Sequence, residues 1–215
     1  MGIYQIMKIL VFATQKGGAG KTTLVSNIAI EAVKQGESVL IIDLDPQQSI
    51  SKWWERRDAD TPDLIKINSD DLDQALKMAR DKGYTFACID TAGSETLTGN
   101  SAILAADFCI VPCQPSVVDI EASTSTFRLL SRMNKDFAFV LTRCPARGKD
   151  AENTKKGLVE LGKVAKSTTI ERKAYKHAFA TGLSVTEYDK KDKASAEIIA
   201  LYDEITTFLT EAKRG

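Results

Sequence analysis

The feature that most constrains the fold of this chain is a glycine-rich segment between an apolar run and a helical stretch. Residues 9–14 are almost wholly apolar, residues 15–23 read Gln-Lys-Gly-Gly-Ala-Gly-Lys-Thr-Thr, and apolar residues then recur at helical spacing. Glycines allow such a loop to turn tightly and to point successive N–H groups at one anion. The start of the following helix adds the positive end of its dipole. The segment therefore predicts a phosphate-binding loop between a strand and a helix.

The side chains of the loop suit the same purpose. Lys21 supplies a positive charge for β and γ phosphates, and the hydroxyl of Thr22 is placed to ligate Mg²⁺. The strict G-x-x-x-x-G-K-[ST] pattern fails, because Gln15 stands where its first glycine should be and a second lysine, Lys16, opens the loop instead. A glycine-rich turn with incidental lysines is the alternative. The residues predicted to contact a nucleotide here are Lys16, Gly17, Gly18, Ala19, Gly20, Lys21, Thr22 and Thr23.

Apolar runs and amphipathic stretches alternate along the rest of the chain. The runs expected to be strands cover residues 9–14, 39–43, 64–67, 86–90, 108–111, 137–142 and 167–170. The stretches expected to be helices cover residues 21–34, 47–57, 72–82, 117–132, 151–162 and 194–212. Most runs are continuously apolar, which is typical of parallel strands covered by helices on both faces. We predict an α/β fold in a single domain, with a mostly parallel twisted sheet flanked by helices on both faces.

The composition of the chain argues against several classes of protein. The 215 residues carry 29 basic and 29 acidic side chains, so no overall positive field indicates nucleic acid, although residues 143–215 hold 15 basic and 11 acidic. No run of 18 uncharged apolar residues indicates a membrane span. The four cysteines form no C-x-x-C pair of the kind that indicates a zinc site. The chain begins without the features of a signal peptide, so we expect a cytoplasmic protein and interpret residues 1–6 as a leader or added remnant.

These motifs together resemble those of the ParA/MinD ATPases, the plasmid and chromosome partitioning proteins and their relatives. Residues 16–23 are similar to the deviant Walker A box of that family, residues 43–47 to its switch I, and residues 86–91 to its Walker B strand and switch II. Further resemblances lie at residues 111–119 and 170–172, and the short chain is similar to the compact plasmid type of ParA. Switch II departs from the pattern, because it reads Asp-Thr-Ala-Gly where many members carry proline.

The resemblance implies a site that hydrolyses ATP with Mg²⁺ as cofactor. It implies that Lys16 reaches across a homodimer to the phosphates held by the other subunit, while Lys21 binds phosphate and Asp45 orients the attacking water. The residues that it implies around Mg²⁺ and its waters are Thr22, Asp43 and Asp90. Contacts with adenine are expected after the sixth strand, from Thr142 and Arg143.

The aspartates also have simpler interpretations. Asp43 and Asp45 precede Pro46, and such a segment equally suits a turn or the cap of the next helix. Asp90 ends an apolar run, where an unpaired buried carboxylate is costly unless it faces a cation. A magnesium site therefore explains Asp90 better than packing does.

The resemblance implies partners as well. We expect the ATP-bound homodimer to bind DNA without sequence preference, and a ParB-like adaptor to stimulate hydrolysis and release it. The basic residues assigned to DNA are Arg172, Lys173, Lys176, Lys190 and Lys191. The alternatives are a MinD-like or other cargo-positioning ATPase that does not act on DNA, and a metabolic enzyme on the same scaffold. A membrane role requires a terminal amphipathic helix, whereas we expect the apolar stripe of residues 198–209 to pack in the core, so no membrane partner is predicted.

Overall fold

The computed structural model describes residues 6–93 and 97–212, and this part of the chain forms a sheet of six strands with helices around it. The strands are β1 (Lys8–Phe12), β2 (Val39–Asp43), β3 (Asp63–Lys66), β4 (Phe86–Asp90), β5 (Phe108–Cys113) and β6 (Phe137–Leu141). Their order across the sheet is β3-β2-β4-β1-β5-β6, and all neighbouring pairs are parallel. The predicted parallel α/β sheet is confirmed.

Helices cover both faces of this sheet. They are α1 (Lys21–Lys34), α2 (Ser49–Trp54), α3 (Leu72–Asp81), α4 (Leu97–Ala105), α5 (Val117–Arg132), α6 (Asp150–Val159), α7 (Lys173–Ala180), α8 (Val185–Tyr188) and α9 (Lys193–Ala212). One core joins the sheet to α1, α2 and α7 to α9, and the second joins it to α3 to α6. Successive β1 residues alternate between them, with Leu10 and Phe12 in the first core and Ile9 and Val11 in the second. The strands are apolar throughout because both of their faces are covered.

Strand register gathers the candidate site residues at one edge of the sheet. Phe12 at the end of β1 lies beside Asp90 at the end of β4, and Asp90 lies beside Asp43 at the end of β2. The glycine loop, switch I and switch II all leave the sheet from these three strand ends. Ligands of open α/β sheets bind outside the carboxyl ends of the strands, which is this edge.

One predicted strand is wrong. Residues 167–170 run beside the end of β6, but within the described residues they make only one isolated bridge there, between Ile170 and Cys144. Two N–H groups of this segment donate to carboxylates of α9 and not to a neighbouring strand. Glu204 accepts from the N–H of Ser167 and Glu197 from the N–H of Ile170, both at 3.0 Å. The apolar pattern of the sequence does not indicate that these carboxylates compete for the backbone N–H groups.

Helix prediction fails where helices are short, as in α7 and α8, or where polar and apolar residues are not separated onto different faces, as in α4. The sequence pattern does not predict α4, α7 or α8, and it makes α2 too long, since residues 47–57 are expected and only Ser49–Trp54 form the helix. The eight residues of α7 and the four of α8 are too few for an apolar repeat to stand out.

The C-terminal helix α9 packs in the core, as predicted. Ile198, Leu201 and Ile205 are fully buried, and the ring of Phe208 stacks on that of Phe108 in β5 with centroids 5.6 Å apart. Among the described residues, no helix combines the length and the apolar character that crossing a bilayer requires.

Candidate nucleotide-binding site

The glycine loop between β1 and α1 has the geometry of an anion site. Gly18 (φ 78°) and Gly20 (φ 98°) take left-handed conformations, which glycine adopts without the penalty that other residues pay. Gly20 is also the residue that precedes α1, and no side chain caps the helix there. A Cβ atom added to Gly17 or Gly18 would meet nothing within 4 Å, so the space over the loop is open. The first N–H groups of α1 are thus left for a ligand.

Neighbouring strand ends hold the loop from behind. The hydroxyl of Thr142, which follows β6, donates to the carbonyl oxygen of Ala19 at 2.7 Å. The side-chain amide of Gln114, which follows β5, donates to the carbonyl oxygen of Gly18 at 2.8 Å. These two hydrogen bonds fix the carbonyl groups of Gly18 and Ala19 to the ends of β5 and β6. Sequence reasoning assigned Thr142 to adenine and overlooked Gln114 altogether.

Switch II touches the same loop. A Cβ atom on Gly93 would lie 2.9 Å from both Cα and N of Gly17, which is closer than backbone and side chain can approach. Only glycine therefore fits at this position, in the Asp-Thr-Ala-Gly segment that departs from the usual family pattern.

Lys21 and Asp90 form the buried charged centre of the site. Lys21 is 6% exposed, and burial lowers the pKa of its ammonium, an effect that the nearby carboxylates of Asp90 and Asp45 oppose. Asp90 is fully buried, and neither of its oxygens has a hydrogen-bond partner of normal geometry among the described residues. Burial raises the pKa of Asp90 to about 7, although Thr22 and Lys21 lie near enough to lower it in part.

The unpaired carboxylate of Asp90 fits a divalent cation. A buried charge without hydrogen bonds is strongly unfavourable, and Mg²⁺ takes oxygen ligands from carboxylates, hydroxyls, phosphates and water. Asp90, the Thr22 hydroxyl next to it and a phosphate in the glycine loop would provide such a set. The donor chemistry thus agrees with ATP and Mg²⁺ in this site.

The two aspartates of switch I have different surroundings. Asp43 is buried, and its carboxylate accepts hydrogen bonds from the N–H of Asp45 at 3.0 Å and from the N–H and hydroxyl of Ser51 at 3.3 and 2.5 Å. Burial raises the pKa of Asp43, and these hydrogen bonds oppose the rise. Asp45 is half-buried, accepts from the N–H of Gln47 at 2.9 Å and lines the cavity. Both aspartates accept turn-type hydrogen bonds from the backbone, and of the two it is Asp45 that lines the cavity.

Lys16 is bound within its own subunit. Its ammonium forms an ion pair with the carboxylate of Asp119 in the first turn of α5, and the Lys16 side chain is 31% exposed while that of Asp119 is 2% exposed. Asp119 also accepts hydrogen bonds from the N–H of Gln114 at 3.2 Å and from the hydroxyl of Ser116, the residue that caps α5. The lysine at the start of the loop is thereby connected to the helix that follows β5.

A cavity of about 630 Å³ extends from the loop, within the range of small-molecule sites. Beyond the loop its wall includes residues 169–172, Arg143 and one side of α7, with Tyr175 and Phe179. Sequence reasoning placed Arg143 here but missed residues 169–171 and α7. The sequence signal for this wall is the Ile-x-Arg segment at residues 170–172, whose Arg172 is predicted from the sequence to bind DNA.

Glu197 of α9 organises this far wall. Its carboxylate accepts hydrogen bonds from the N–H of Ile170 at 3.0 Å, from Nε of Arg172 at 2.8 Å and from the hydroxyl of Tyr175 at 3.0 Å. Arg172, predicted to bind DNA, is therefore ion-paired at the cavity wall. The other four residues assigned to DNA are exposed and lie outside this network, namely Lys173, Lys176, Lys190 and Lys191. Of these, Lys176 also lines the cavity and forms an ion pair with Glu171 at 3.8 Å.

Known proteins similar to this chain show which family it belongs to. The family model described as VirC1 protein matches residues 7–213. "Maintenance of carboxysome distribution protein A" of Halothiobacillus neapolitanus is 29% identical over 213 residues, with 94% of each chain covered. The protein of the same name from Gloeobacter kilaueensis is 30% identical over 195 residues, covering 88% of this chain and 89% of its own. The septum site-determining protein MinD of Pyrococcus horikoshii OT3, solved with Mg-ADP, superposes with a TM-score of 0.77 at 18% identity, covering 93% of this chain and 96% of that one.

The parallel sheet, the glycine loop with two lysines and the aspartates at the strand ends define a P-loop NTPase of the deviant Walker type. The chain belongs to the VirC1 family, within the ParA/MinD group of ATPases.

Proposed function

We propose that this chain is an ATP-hydrolysing positioning protein, in which ATP closes a homodimer and hydrolysis opens it. The observation that carries the proposal is the pair of lysines at the two ends of one loop. Lys21 is buried beside Asp90, where it neutralises phosphate held by its own subunit. Lys16 stands at the start of the loop and is partly exposed, so the phosphates of a second subunit can reach it.

In the proposed reaction, water attacks the γ-phosphorus of ATP, the bond to the bridging oxygen breaks, and ADP and phosphate are released; the protein contributes position and charge. Thr22 and Asp90, with Asp43 beside Asp90 in the sheet, would hold Mg²⁺, which would supply positive charge to the phosphate oxygens. Asp45 lines the cavity next to the loop and accepts a hydrogen bond from the attacking water. Lys16 of the second subunit stabilises the charge of the transition state, a role that is worth about 10³–10⁵ in rate when an arginine plays it in small GTPases.

The variant Lys16→Gln tests this function. We expect it to bind ATP nearly as the parent does, because Lys21 and the loop amides remain, yet to lose both ATP-dependent dimerisation and hydrolysis. Light scattering with Mg-ATP measures the dimer, and titration of a fluorescent ATP analogue measures binding. The matched control is Lys77→Gln, which removes the same charge from an exposed position on α3. Dimerisation of Lys16→Gln equal to that of the control would refute the role of Lys16.

The proposed binding partner of the ATP-bound dimer is DNA. The proposal is supported by a ring contact between His177 of α7 and Tyr188 of α8, with centroids 6.3 Å apart, because it brings the exposed side of α7 close to the turn before α9. The exposed lysines of these two segments are Lys173, Lys176, Lys190 and Lys191. One subunit has too few cations to bind phosphate tightly, whereas a dimer doubles the phosphates that are neutralised. Binding should therefore require ATP and show no preference for sequence.

The cleanest test of the DNA surface is to change Lys190 and Lys191 together to glutamate. These side chains are exposed, whereas Arg172 is tied to the cavity wall, so a change at Arg172 would disturb nucleotide binding too. We expect the double variant to lose duplex binding and to keep ATP-dependent dimerisation. The parent should show a log–log salt dependence with a slope of about −0.9 per phosphate contact. The control changes Lys77 and Lys82, which are exposed at α3, to glutamate; equal loss in both double variants would contradict a specific surface.

Two kinds of cargo are compatible with the proposed function. A ParB-like adaptor on a plasmid or chromosome is one candidate. The relatives named for carboxysome distribution, 29% and 30% identical over most of their length, favour a second candidate, a protein-bound compartment. The product of the adjacent reading frame is the adaptor to test, and we expect it to raise the ATPase rate in the presence of DNA. An adaptor that binds centromere-like DNA itself would support the first candidate, and one that binds only a protein assembly would support the second.

A further inference from the structure

An exposed aromatic side chain lies among the lysines that are proposed to contact DNA. Tyr188, the last residue of α8, is 44% exposed, which makes it the most exposed Phe, Tyr or Trp side chain among the described residues. The tyrosines of the neighbouring helices, Tyr175 in α7 and Tyr202 in α9, are buried. Packing in the core therefore does not explain an aromatic ring at position 188.

His177 of α7, which is also exposed, contacts the ring of Tyr188. The two ring centroids lie 6.3 Å apart and the ring planes meet at 61°, which is an edge-to-face arrangement. In such an arrangement neither ring covers both faces of the other. Because both residues are exposed, the pair presents aromatic faces to solvent in an orientation that the contact between the rings supports.

Lysines lie on both sides of this aromatic pair. Lys173 is four residues before His177 and therefore lies on the same side of α7. Lys190 and Lys191 follow two and three residues after Tyr188, and all three lysines are exposed. Cations that neutralise phosphate, together with aromatic faces on which bases stack, are the two components of a site for a single nucleic-acid strand.

We propose that the aromatic pair of Tyr188 and His177 stacks on unpaired bases, so that this surface binds single-stranded DNA as well as duplex. The bases of a duplex are stacked on one another and closed to a protein ring, whereas those of a single strand are open. This inference rests on the proposed DNA surface, because the same lysines neutralise phosphate in both cases. The rings therefore contribute affinity for single strands only.

Two oligonucleotides that carry the same phosphates test the stacking. One is a labelled oligothymidine, and the other is an abasic chain of the same length, which lacks bases. With Mg-ATP present, we expect the parent protein to bind the oligothymidine about tenfold more tightly than the abasic chain, as measured by fluorescence anisotropy. This comparison requires no variant, so it does not depend on how a substitution affects folding.

The variant Tyr188→Leu assigns the stacking to this position, because leucine removes the ring and keeps an apolar side chain. We expect it to bind the oligothymidine about tenfold more weakly than the parent does, and no more tightly than the abasic chain. The matched control is Tyr188→Phe, which keeps the ring and should bind as the parent does. Both variants should retain duplex binding and ATP-dependent dimerisation, whereas a merely structural role of Tyr188 would weaken these in Tyr188→Leu as well.

Equal affinity of the parent for the two oligonucleotides would overturn the proposal, and so would a Tyr188→Leu protein that binds the oligothymidine as tightly as the parent. If the parent binds the oligothymidine through Tyr188 but binds no duplex, the duplex role is refuted and the stacking site stands. If it binds neither, both are refuted, while ATP-dependent dimerisation and hydrolysis still report on the proposed ATPase.

Discussion

Replacing Asp90 with asparagine should stabilise the protein in the absence of Mg²⁺ and nucleotide. Asp90 is fully buried, and its oxygens have no hydrogen-bond partner of normal geometry among the described residues, so its ionised form is held at a cost. That cost follows from the pKa of about 7 in the folded protein. In the unfolded chain the pKa of an aspartate is about 3.9.

The size and pH dependence of the effect follow from these two values. Between pH 4 and 7 the folded carboxyl still holds its proton after the unfolded one has lost it, so unfolding releases a proton and becomes easier as pH rises. With about 1.4 kcal/mol for each unit of pKa, the penalty is about 1.5 kcal/mol at pH 5 and about 4 kcal/mol at pH 8. Asparagine does not ionise and escapes this change. The stability advantage of Asp90→Asn should therefore grow by about 2–3 kcal/mol from pH 5 to pH 8.

Urea unfolding in EDTA at pH 5, 6, 7 and 8 measures this difference. The matched control is Asp60→Asn, an exposed aspartate in the loop before β3, which should follow the pH profile of the parent. The same Asp90→Asn protein should lose the stabilisation that Mg-ATP gives the parent, because the carboxylate proposed near the metal is missing. A stability difference that stays constant with pH would refute the reasoning, since it would mean that Asp90 is ionised in both states or paired in the folded one.

Two further changes separate binding from chemistry at this site. Asp45→Ala should retain ATP affinity and yield a long-lived ATP-bound dimer, with kcat reduced by at least about 100-fold because the attacking water loses its acceptor; an equal loss of affinity would show that Asp45 holds the nucleotide. Glu197→Gln should weaken ATP binding by about tenfold, because charged hydrogen bonds worth about 1.5–3 kcal/mol each fix the cavity wall. Glu211→Gln, which breaks only an exposed ion pair on the same helix, is its control, and equal affinities of the two variants would contradict this account of the wall.

The sequence predicts the parts of the site that lie close together in the chain. The glycine loop with Lys16 and Lys21 is formed by consecutive residues, so the sequence shows it directly. The parallel sheet is predicted by the apolar runs, whose residues are buried on both faces of the sheet. The end of each run then places Asp43 and Asp90 at one edge, which strand register confirms.

The parts that the sequence does not predict depend on contacts between distant residues. Asp119 meets Lys16 across 103 positions, and Glu197 reaches Arg172 and Ile170 from another helix. Neither periodicity nor a motif indicates which carboxylates the fold will bury. They also do not indicate the cation with which each buried carboxylate will pair. For the same reason the sequence predicts that Arg172 belongs to a basic surface, whereas in the structure Arg172 forms an ion pair with Glu197 at the cavity wall.

The most direct test of the trans role of Lys16 is to mix two inactive variants, Lys16→Gln and Asp45→Ala, and to measure ATP hydrolysis. In a mixed dimer, the subunit with Lys16→Gln keeps its own Asp45 and receives Lys16 from its partner, so one of the two sites is complete. We expect the mixture to regain activity that neither variant shows alone. If Lys16 acts only within its own subunit, no mixed dimer contains a complete site, and a mixture as inactive as its components would contradict the account.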